Sequence, residues 1–381
     1  MYYVTVMQSE KYKQMTFEQF LFGSDAMPRI ASSSRGNTAT RTYEFNVISN
    51  NVRNRVDTNR LISLLNDFNQ KHSDLRSVPR NTLYREFQIL KKSGGYRVIS
   101  QPNEKLMCAL RELKIIFEDD FGVLYHTNAY AYIKKRCTID LMKKHQKNES
   151  KWFAKLDLHN FFGSTTINFV MKMFSMIFPF SEVVSSNEGK EALETALELA
   201  FLNGGLPQGT PISPLITNVM MIPIDFALSK KFRDFNGDRL IYTRYADDFI
   251  ISSRYTFSCN DVEKTITETI KSFNAPFELN AKKTRYGSSS GANWNLGVML
   301  NANNDITIGH KKKREFQSAL NSYIKDKKNG SGWCLNDVQI LNGQISYYKM
   351  VEGDVIDRII DHIDQKNGTD VRSMIREDLR V

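Results

Sequence analysis

The chain has 381 residues, of which 41 % are hydrophobic and 25 % charged, an ordinary balance for a soluble globular protein long enough for two or three packed units. Lys plus Arg number 52 against 42 Asp plus Glu, a formal net charge of +10, which suits a polyanionic partner such as nucleic acid and equally a merely basic surface. No apolar run reaches the roughly 18 residues of a membrane span, Met1–Gln14 lacks the apolar core of a signal peptide, and Cys108, Cys137, Cys259 and Cys334 form no local zinc motif, so the expectation is a cytoplasmic protein with reduced thiols and no membrane partner.

In chain order, Ile30–Arg41 is rich in Ser, Thr, Gly and Arg and reads as a mobile loop. From Asp57 the spacing of Leu61, Leu64, Leu65 and Phe68 predicts a helix. A second helix is expected over Asn81–Lys92, stopped by Gly94-Gly95, then a strand over Tyr96–Ser100. Asn103-Glu104 opens a helix whose core stripe is Leu106, Leu110, Leu113 and Phe117. Trp152–Leu158 reads as a buried strand, Glu188–Leu202 as a helix ending at Gly204-Gly205, and Pro211–Lys231 as one long helix. Leu240–Ser252 has two apolar arms around a polar centre, the pattern of a hairpin. Val262–Phe273 is helical, and Asn295–Leu300 pairs with Asp305–Ile308 across Asn301–Asn304. Beyond His310 the pattern is helical, over Lys311–Lys325, Asn336–Val351 and Val355–Gln365. The change from mixed α and β to all-helical places a domain boundary near residue 309.

Two acidic centres fall beside apolar runs: Asp157 at the end of a hydrophobic strand, and Asp247-Asp248 between the hairpin arms. Carboxylates in such surroundings cost several kcal/mol unless paired or metal-bound. Magnesium favours carboxylate and phosphate oxygens, and two such ions about 4 Å apart serve nucleotidyl transfer. Taken alone, Asp247-Asp248 is better read as a polar turn with two exposed acids, and Asp157 likewise as a solvated strand end.

The surrounding residues decide the matter. Tyr245-Ala246-Asp247-Asp248 is the YxDD box of reverse transcriptases, and Phe153-Ala154-Lys155-Leu156-Asp157-Leu158 with Phe161-Phe162 resembles that family's first catalytic motif. Between them Gly205-Leu206-Pro207-Gln208-Gly209-Thr210-Pro211 resembles its second motif, and three motifs in order are highly specific. Lys91–Pro102 resembles the fingers hairpin, Leu279–Thr284 the fourth motif and Leu296-Gly297-Val298 the primer grip. The resemblance implies an α+β right-hand polymerase fold with fingers, palm (an antiparallel sheet carrying YADD) and helical thumb. The expected divisions are an N-terminal extension over 1–80, fingers and palm over 81–309, and a thumb over 310–381.

It further implies that Asp157, Asp247 and Asp248 hold two Mg2+ ions, and that Lys283, or Lys282 beside it, protonates the pyrophosphate. Arg97, Gln208, Gly209 and Tyr245 would bind the nucleotide, and Phe162 would exclude a ribose 2′-hydroxyl. Lys134 and Arg136, with Lys135 near Tyr130 and Tyr132, could grip a nucleic-acid strand or edge a solvated turn. Lys311, Lys312, Lys313 and Arg314 open a thumb helix and could lie along the phosphates of an RNA–DNA hybrid or equally form a solvated basic turn; cations there oppose the macrodipole, which mildly favours an external anion. His159 reads as structural, because hard magnesium sites rarely need imidazole.

The expected activity is RNA-directed DNA synthesis from deoxynucleoside triphosphates on a noncoding RNA template and primer, giving a cDNA product, with room for an associated effector protein. Compact length and the Gln after Leu-Pro resemble retron and bacterial defence-associated enzymes. Retron enzymes tend to carry Val-Thr-Gly where this chain has Asn295-Leu296-Gly297-Val298, which leans the reading toward a defence-associated bacterial enzyme of retron-like architecture. Two readings compete: a template-independent DNA polymerase of the same fold, and a non-catalytic, maturase-like RNA-binding protein, which would be expected to have lost its carboxylates.

Overall fold

A computed structural model describes residues 57–90, 94–288 and 296–380 with their side chains. Near the N-terminus it describes the backbone of two antiparallel strands, β1 (Tyr3–Gln8) and β2 (Lys11–Thr16). The loop expected over Ile30–Arg41 lies outside the described residues. The elements that follow are α1 (Thr58–Lys71), β3 (Tyr84–Leu90), β4 (Tyr96–Pro102), α2 (Glu104–Ile115), α3 (Thr138–Lys147), β5 (Trp152–Asp157), α4 (Ile167–Phe174) and α5 (Asn187–Glu198). Then come α6 (Ser213–Met220), α7 (Ile222–Arg233), β6 (Ile241–Tyr245), β7 (Asp248–Ser253), α8 (Cys259–Ser272), β8 (Arg285–Ser288), β9 (Met299–Leu300) and β10 (Ile306–Thr307). The chain closes on α9 (His310–Lys328), α10 (Leu335–Asn367) and α11 (Val371–Asp378).

The chain forms two compact units, each assembled from three separate stretches of sequence. The first comprises residues 1–133, 158–231 and 263–280. Its α1 is capped by Asp57, whose carboxylate accepts from Arg60 N, and its buried stripe of Leu61, Leu65 and Phe68 packs on α5. Phe117, Phe121, Phe174 and Phe180 form an aromatic cluster with centroids 4.3 to 6.3 Å apart. The hairpin β3–β4 stands largely exposed, with Phe87 facing Ile99 and Leu90 facing Tyr96.

The second unit comprises residues 134–157, 232–262 and 281–381. It holds an antiparallel sheet of order β6-β7-β5-β8, whose central strands bury Phe153, Leu156, Phe249, Ile250 and Ile251. Its helical end has a core of its own, in which Phe316, Leu320 and Tyr323 of α9 meet Leu341, Ile356 and Ile360 of α10 and Ile375 of α11. Helix α10 breaks at Glu352 (φ −141°, ψ 59°), at the gap between its two expected halves.

Two expected elements differ. The helix over Asn81–Lys92 is instead a 3-10 turn, Arg80–Leu83, followed by strand β3. Gly94 and Gly95, at φ 84° and 75°, turn a hairpin rather than stop a helix, and cross-strand pairing with β4 outweighs helix propensity. The helix over Pro211–Lys231 is two, α6 and α7, parted at Met221; Pro223, in the first turn of α7, has no N–H to continue a helical ladder. The short α11 had no expected counterpart. All four cysteines are free, and no helix among the described residues is long and apolar enough to cross a membrane.

Candidate catalytic centre

The second unit gathers the acidic residues. Strands β6 and β7 pair from Ile241↔Ser252 to Tyr245↔Asp248, leaving Ala246-Asp247 as a two-residue connection. Ala246 takes φ 55°, in the left-handed region that favours glycine. On the other side of β7, strand β5 pairs so that Asp157 faces Asp248 directly. Like charges directly opposed across a strand pair destabilise it unless cations intervene.

Two lysines intervene. Lys283, in the 3-10 turn Ala281–Lys283, donates from Nζ to both carboxylate oxygens of Asp157 at 2.9 Å. Lys155 Nζ lies 2.8 Å from Asp248 Oδ2. Strand alternation puts Lys155 on the Asp157 face of β5. Burial, then the charge of Asp248, pushes the Asp247 carboxyl up to about 6. Burial also raises Asp248, against the pull of Lys155. A pair of partly buried carboxylates with hard oxygen donors and raised protonation is a setting that a divalent cation would relieve. Among the described residues no three His, Cys, Asp or Glu side chains form a ready-made ligand cluster, and lysines hold two of the acids.

Tyr245 is partly buried, and burial raises its phenol above the ordinary value, helped by nearby Tyr347. The sequence assigns no role to three residues of this unit, of which Arg244 and His145 brace the catalytic hairpin and Glu352 the break in α10. Arg244 is fully buried and donates from Nη1 to the Ala246 carbonyl at 3.0 Å. His145 of α3 is fully buried between Ser252 Oγ (Nδ1, 2.6 Å) and Thr243 Oγ1 (Nε2, 2.8 Å), and burial pushes its imidazole down to about 3. Glu352, at the break in α10, accepts from Thr307 Oγ1, Ile308 N and Lys313 Nζ at 2.9, 2.8 and 2.6 Å. An arginine inside an apolar strand arm is a readable signal for Arg244, whereas His145 on an amphipathic helix carries none.

The first unit gathers Phe162, Gln208, Gly209 and the strand of Arg97. Ser100 N donates to Gln208 O at 2.8 Å, and Leu206 N donates to Phe162 O at 3.0 Å. Gly209 lies at φ 119°, where a Cβ would stand 2.9 Å from Ile99 Cγ2 and 3.0 Å from Ser100 O. At Gly205 a Cβ would lie 2.2 Å from Gly163 O. The Gly-Leu-Pro-Gln-Gly turn is thus laid against β4 with no room for side chains at its glycines. Arg97 is exposed on β4, and Phe162 is half-buried with its ring edge-on to Phe161. His159 N donates to Glu278 O at 2.8 Å, a backbone pairing.

Of the basic candidates, Lys134 and Arg136 flank turns rather than a strand, with Lys135 at φ 62°. Lys312 Nζ donates to Gly297 O at 2.7 Å, and Lys313 is engaged by Glu352. Lys311 and Arg314 lie on the solvent side of α9.

The profile of the family described as reverse transcriptase (RNA-dependent DNA polymerase) matches residues 89–325. The chain is 28 % identical over 300 residues to the Retron Ec83 reverse transcriptase of Escherichia coli, covering 75 % of this chain and 88 % of that protein. It is 28 % identical over 245 residues to the Retron Ec73 reverse transcriptase of Escherichia coli, covering 64 % and 73 % respectively. Among solved structures, apo telomerase from Candida Tropicalis truncated from its C-terminal domain gives a TM-score of 0.40 at 16 % identity, over 60 % of this chain and 55 % of that one. The motifs on their strands, the opposed acids at the hairpin turn and a family match over most of the chain agree: this protein belongs to the reverse transcriptase family and is an RNA-directed DNA polymerase, of a kind that generally works with divalent metal ions.

Proposed function

We propose that this enzyme copies a structured noncoding RNA into DNA from deoxynucleoside triphosphates, as a retron-like enzyme of bacterial antiphage defence. The similarity to two retron reverse transcriptases over most of their length supports that setting. The observation that carries the catalytic part is the direct opposition of Asp157 and Asp248, with Asp247 at the adjoining turn.

Asp157, Asp247 and Asp248 would hold two Mg2+ ions, which supply the positive charge that activates a 3′-hydroxyl and offsets charge on departing pyrophosphate. Lys155 and Lys283 pair with two of these carboxylates, Asp248 and Asp157, and hold them in place until then. Lys283 is 59 % exposed at its side chain, so its ammonium can leave Asp157 and give a proton to pyrophosphate. Arg97 offers an exposed guanidinium fork suited to a triphosphate, and Gly209 lets backbone approach a nucleotide. The Phe162 ring would meet a ribose 2′-hydroxyl and so favour deoxynucleotides. Residues 310–381 would serve as the thumb, with Lys311 and Arg314 on the phosphates of the template–product duplex and Lys134 and Arg136 as further phosphate contacts.

The test is synthesis on a primed RNA template with labelled nucleotides and Mg2+. Deoxynucleotide incorporation is expected, with the Asp247→Ala, Asp248→Ala double variant at least about a thousandfold slower. Incorporation of ribonucleotides alone, or undiminished synthesis by the double variant, overturns the reading. Sequencing of the nucleic acid that copurifies tests the noncoding template: a single structured RNA joined to its DNA copy is expected.

A further inference from the structure

The catalytic turn is built from a residue ill-suited to its backbone. Between β6 and β7 the first connecting residue is Ala246, at φ 55°. A non-glycine residue there is strained, and tight two-residue hairpins place glycine, asparagine or aspartate at such positions. The strain is not relieved by exposure, because Ala246 is buried, with 6 % of its surface accessible. Strained backbone persists only where the surroundings over-determine it. Here the carbonyl of Ala246 is held by the Nη1 of Arg244 at 3.0 Å. Arg244 lies on β6 two residues before Ala246, opposite Phe249, and its side chain is among the largest fully buried ones of the described residues. Burying a guanidinium is expensive, and the hydrogen bond it makes to a backbone carbonyl in such surroundings is correspondingly firm.

We propose that Arg244 is a positioning residue for the polymerase reaction, whose guanidinium clamps Ala246 in its left-handed conformation and thereby fixes the direction in which Asp247 and Asp248 leave the turn. The clamp acts on the backbone, not on substrate. It rests on the catalytic reading of the hairpin only for its effect on rate; the conformational coupling between positions 244 and 246 stands by itself. A lysine at 244 keeps the charge yet loses the planar fork that reaches back to a carbonyl. A glycine at 246 adopts φ 55° without strain and needs no clamp.

A double-mutant cycle over Arg244→Lys and Ala246→Gly tests this, read by urea unfolding of the full chain and by kcat and KM on a primed RNA template. The expected single effect of Arg244→Lys is a fall in kcat of about tenfold or more with KM for deoxynucleotide changed less than about threefold. In the Ala246→Gly background the same substitution is expected to lose far less kcat and far less stability. If Arg244→Lys alone does not fold, the double variant is expected to fold. A loss at Arg244 that is equal in both backgrounds, or a double variant as unfolded as the single, overturns the clamp. A chain in which the unfolding coupling is present but no variant or parent polymerises would keep the clamp and sink the catalytic reading instead.

Discussion

Asp157 and Asp248 face each other across a strand pair, and the side chains around them hold that arrangement together by three kinds of interaction. Lys155 and Lys283 answer with charge, Arg244 with a backbone clamp, and His145 with neutral hydrogen bonds behind the sheet. His145 makes a pH-dependent contribution whose sign is fixed by its burial. The imidazole has an ordinary value of 6.5 and is pushed down to about 3 in the folded chain. Below pH 6.5 the unfolded chain takes up a proton that the native chain refuses, so stability falls as pH drops through that window and is unaffected above it. Between pH 6.5 and 5 the loss amounts to about 2 kcal/mol. An asparagine amide can take the place of Nδ1 against Ser252 Oγ without titrating, so the urea midpoint of His145→Asn, lower at pH 7 for the lost Thr243 bond, is expected to fall less between pH 7 and 5 than that of the parent; parallel declines would show that His145 does not titrate this way. The acids are legible in the chain because three motifs in order mark them. His145 is not, since a histidine on an amphipathic helix looks alike whether it meets solvent or two buried hydroxyls.

At the scale of elements, the helices with strong apolar spacing and the strands that end in the acids can be read from the chain, while the first strand of the fingers-like hairpin cannot. Tyr84–Leu90 carries both helix formers and an alternation of Phe87 and Ile89, and only its partner β4 decides for strand. The same hairpin receives the Gly-Leu-Pro-Gln-Gly turn, through Ser100 N donating to Gln208 O at 2.8 Å. Gly209 is required there on two counts: φ 119°, and a Cβ that would stand 3.0 Å from the Ser100 carbonyl. Gly204, at φ 81° with open space around its Cβ, is required on one. Gly209→Ala is therefore expected to cost about 1 to 3 kcal/mol and to raise KM for deoxynucleotide roughly tenfold, while Gly204→Ala costs about 1 kcal/mol with KM unchanged. Thermal unfolding and steady-state kinetics on both variants separate the two; equal effects would remove the close packing at Gly209 as the cause.

For the whole molecule, the net charge of +10 says only that a polyanion suits it, and the structure divides its basic residues by what each already holds. Residues 311–314 look like one basic cluster in sequence. On α9 they separate: Lys313 is bound to Glu352, whose side chain is 10 % exposed, Lys312 donates to Gly297 O, and Lys311 and Arg314 face solvent. The long separation between residues 313 and 352 is why no reading of the linear chain could assign this pair. The two kinds of cation are expected to fail differently. Lys311→Ala with Arg314→Ala should leave the unfolding midpoint within about 0.5 kcal/mol of the parent. It should weaken RNA–DNA duplex binding, with the slope of log affinity against log salt reduced by roughly one unit for each phosphate no longer neutralised. Lys313→Met should instead strand a mostly buried carboxylate that also orders Thr307 and Ile308, costing about 2 kcal/mol of stability. Its salt slope should stay that of the parent, because Lys313 is already neutralised from within. Fluorescence anisotropy across a salt series, beside urea unfolding, reads both quantities. A reduced salt slope in Lys313→Met with unchanged stability would mean that this lysine leaves Glu352 for the phosphate backbone, and the division of labour along α9 would be wrong.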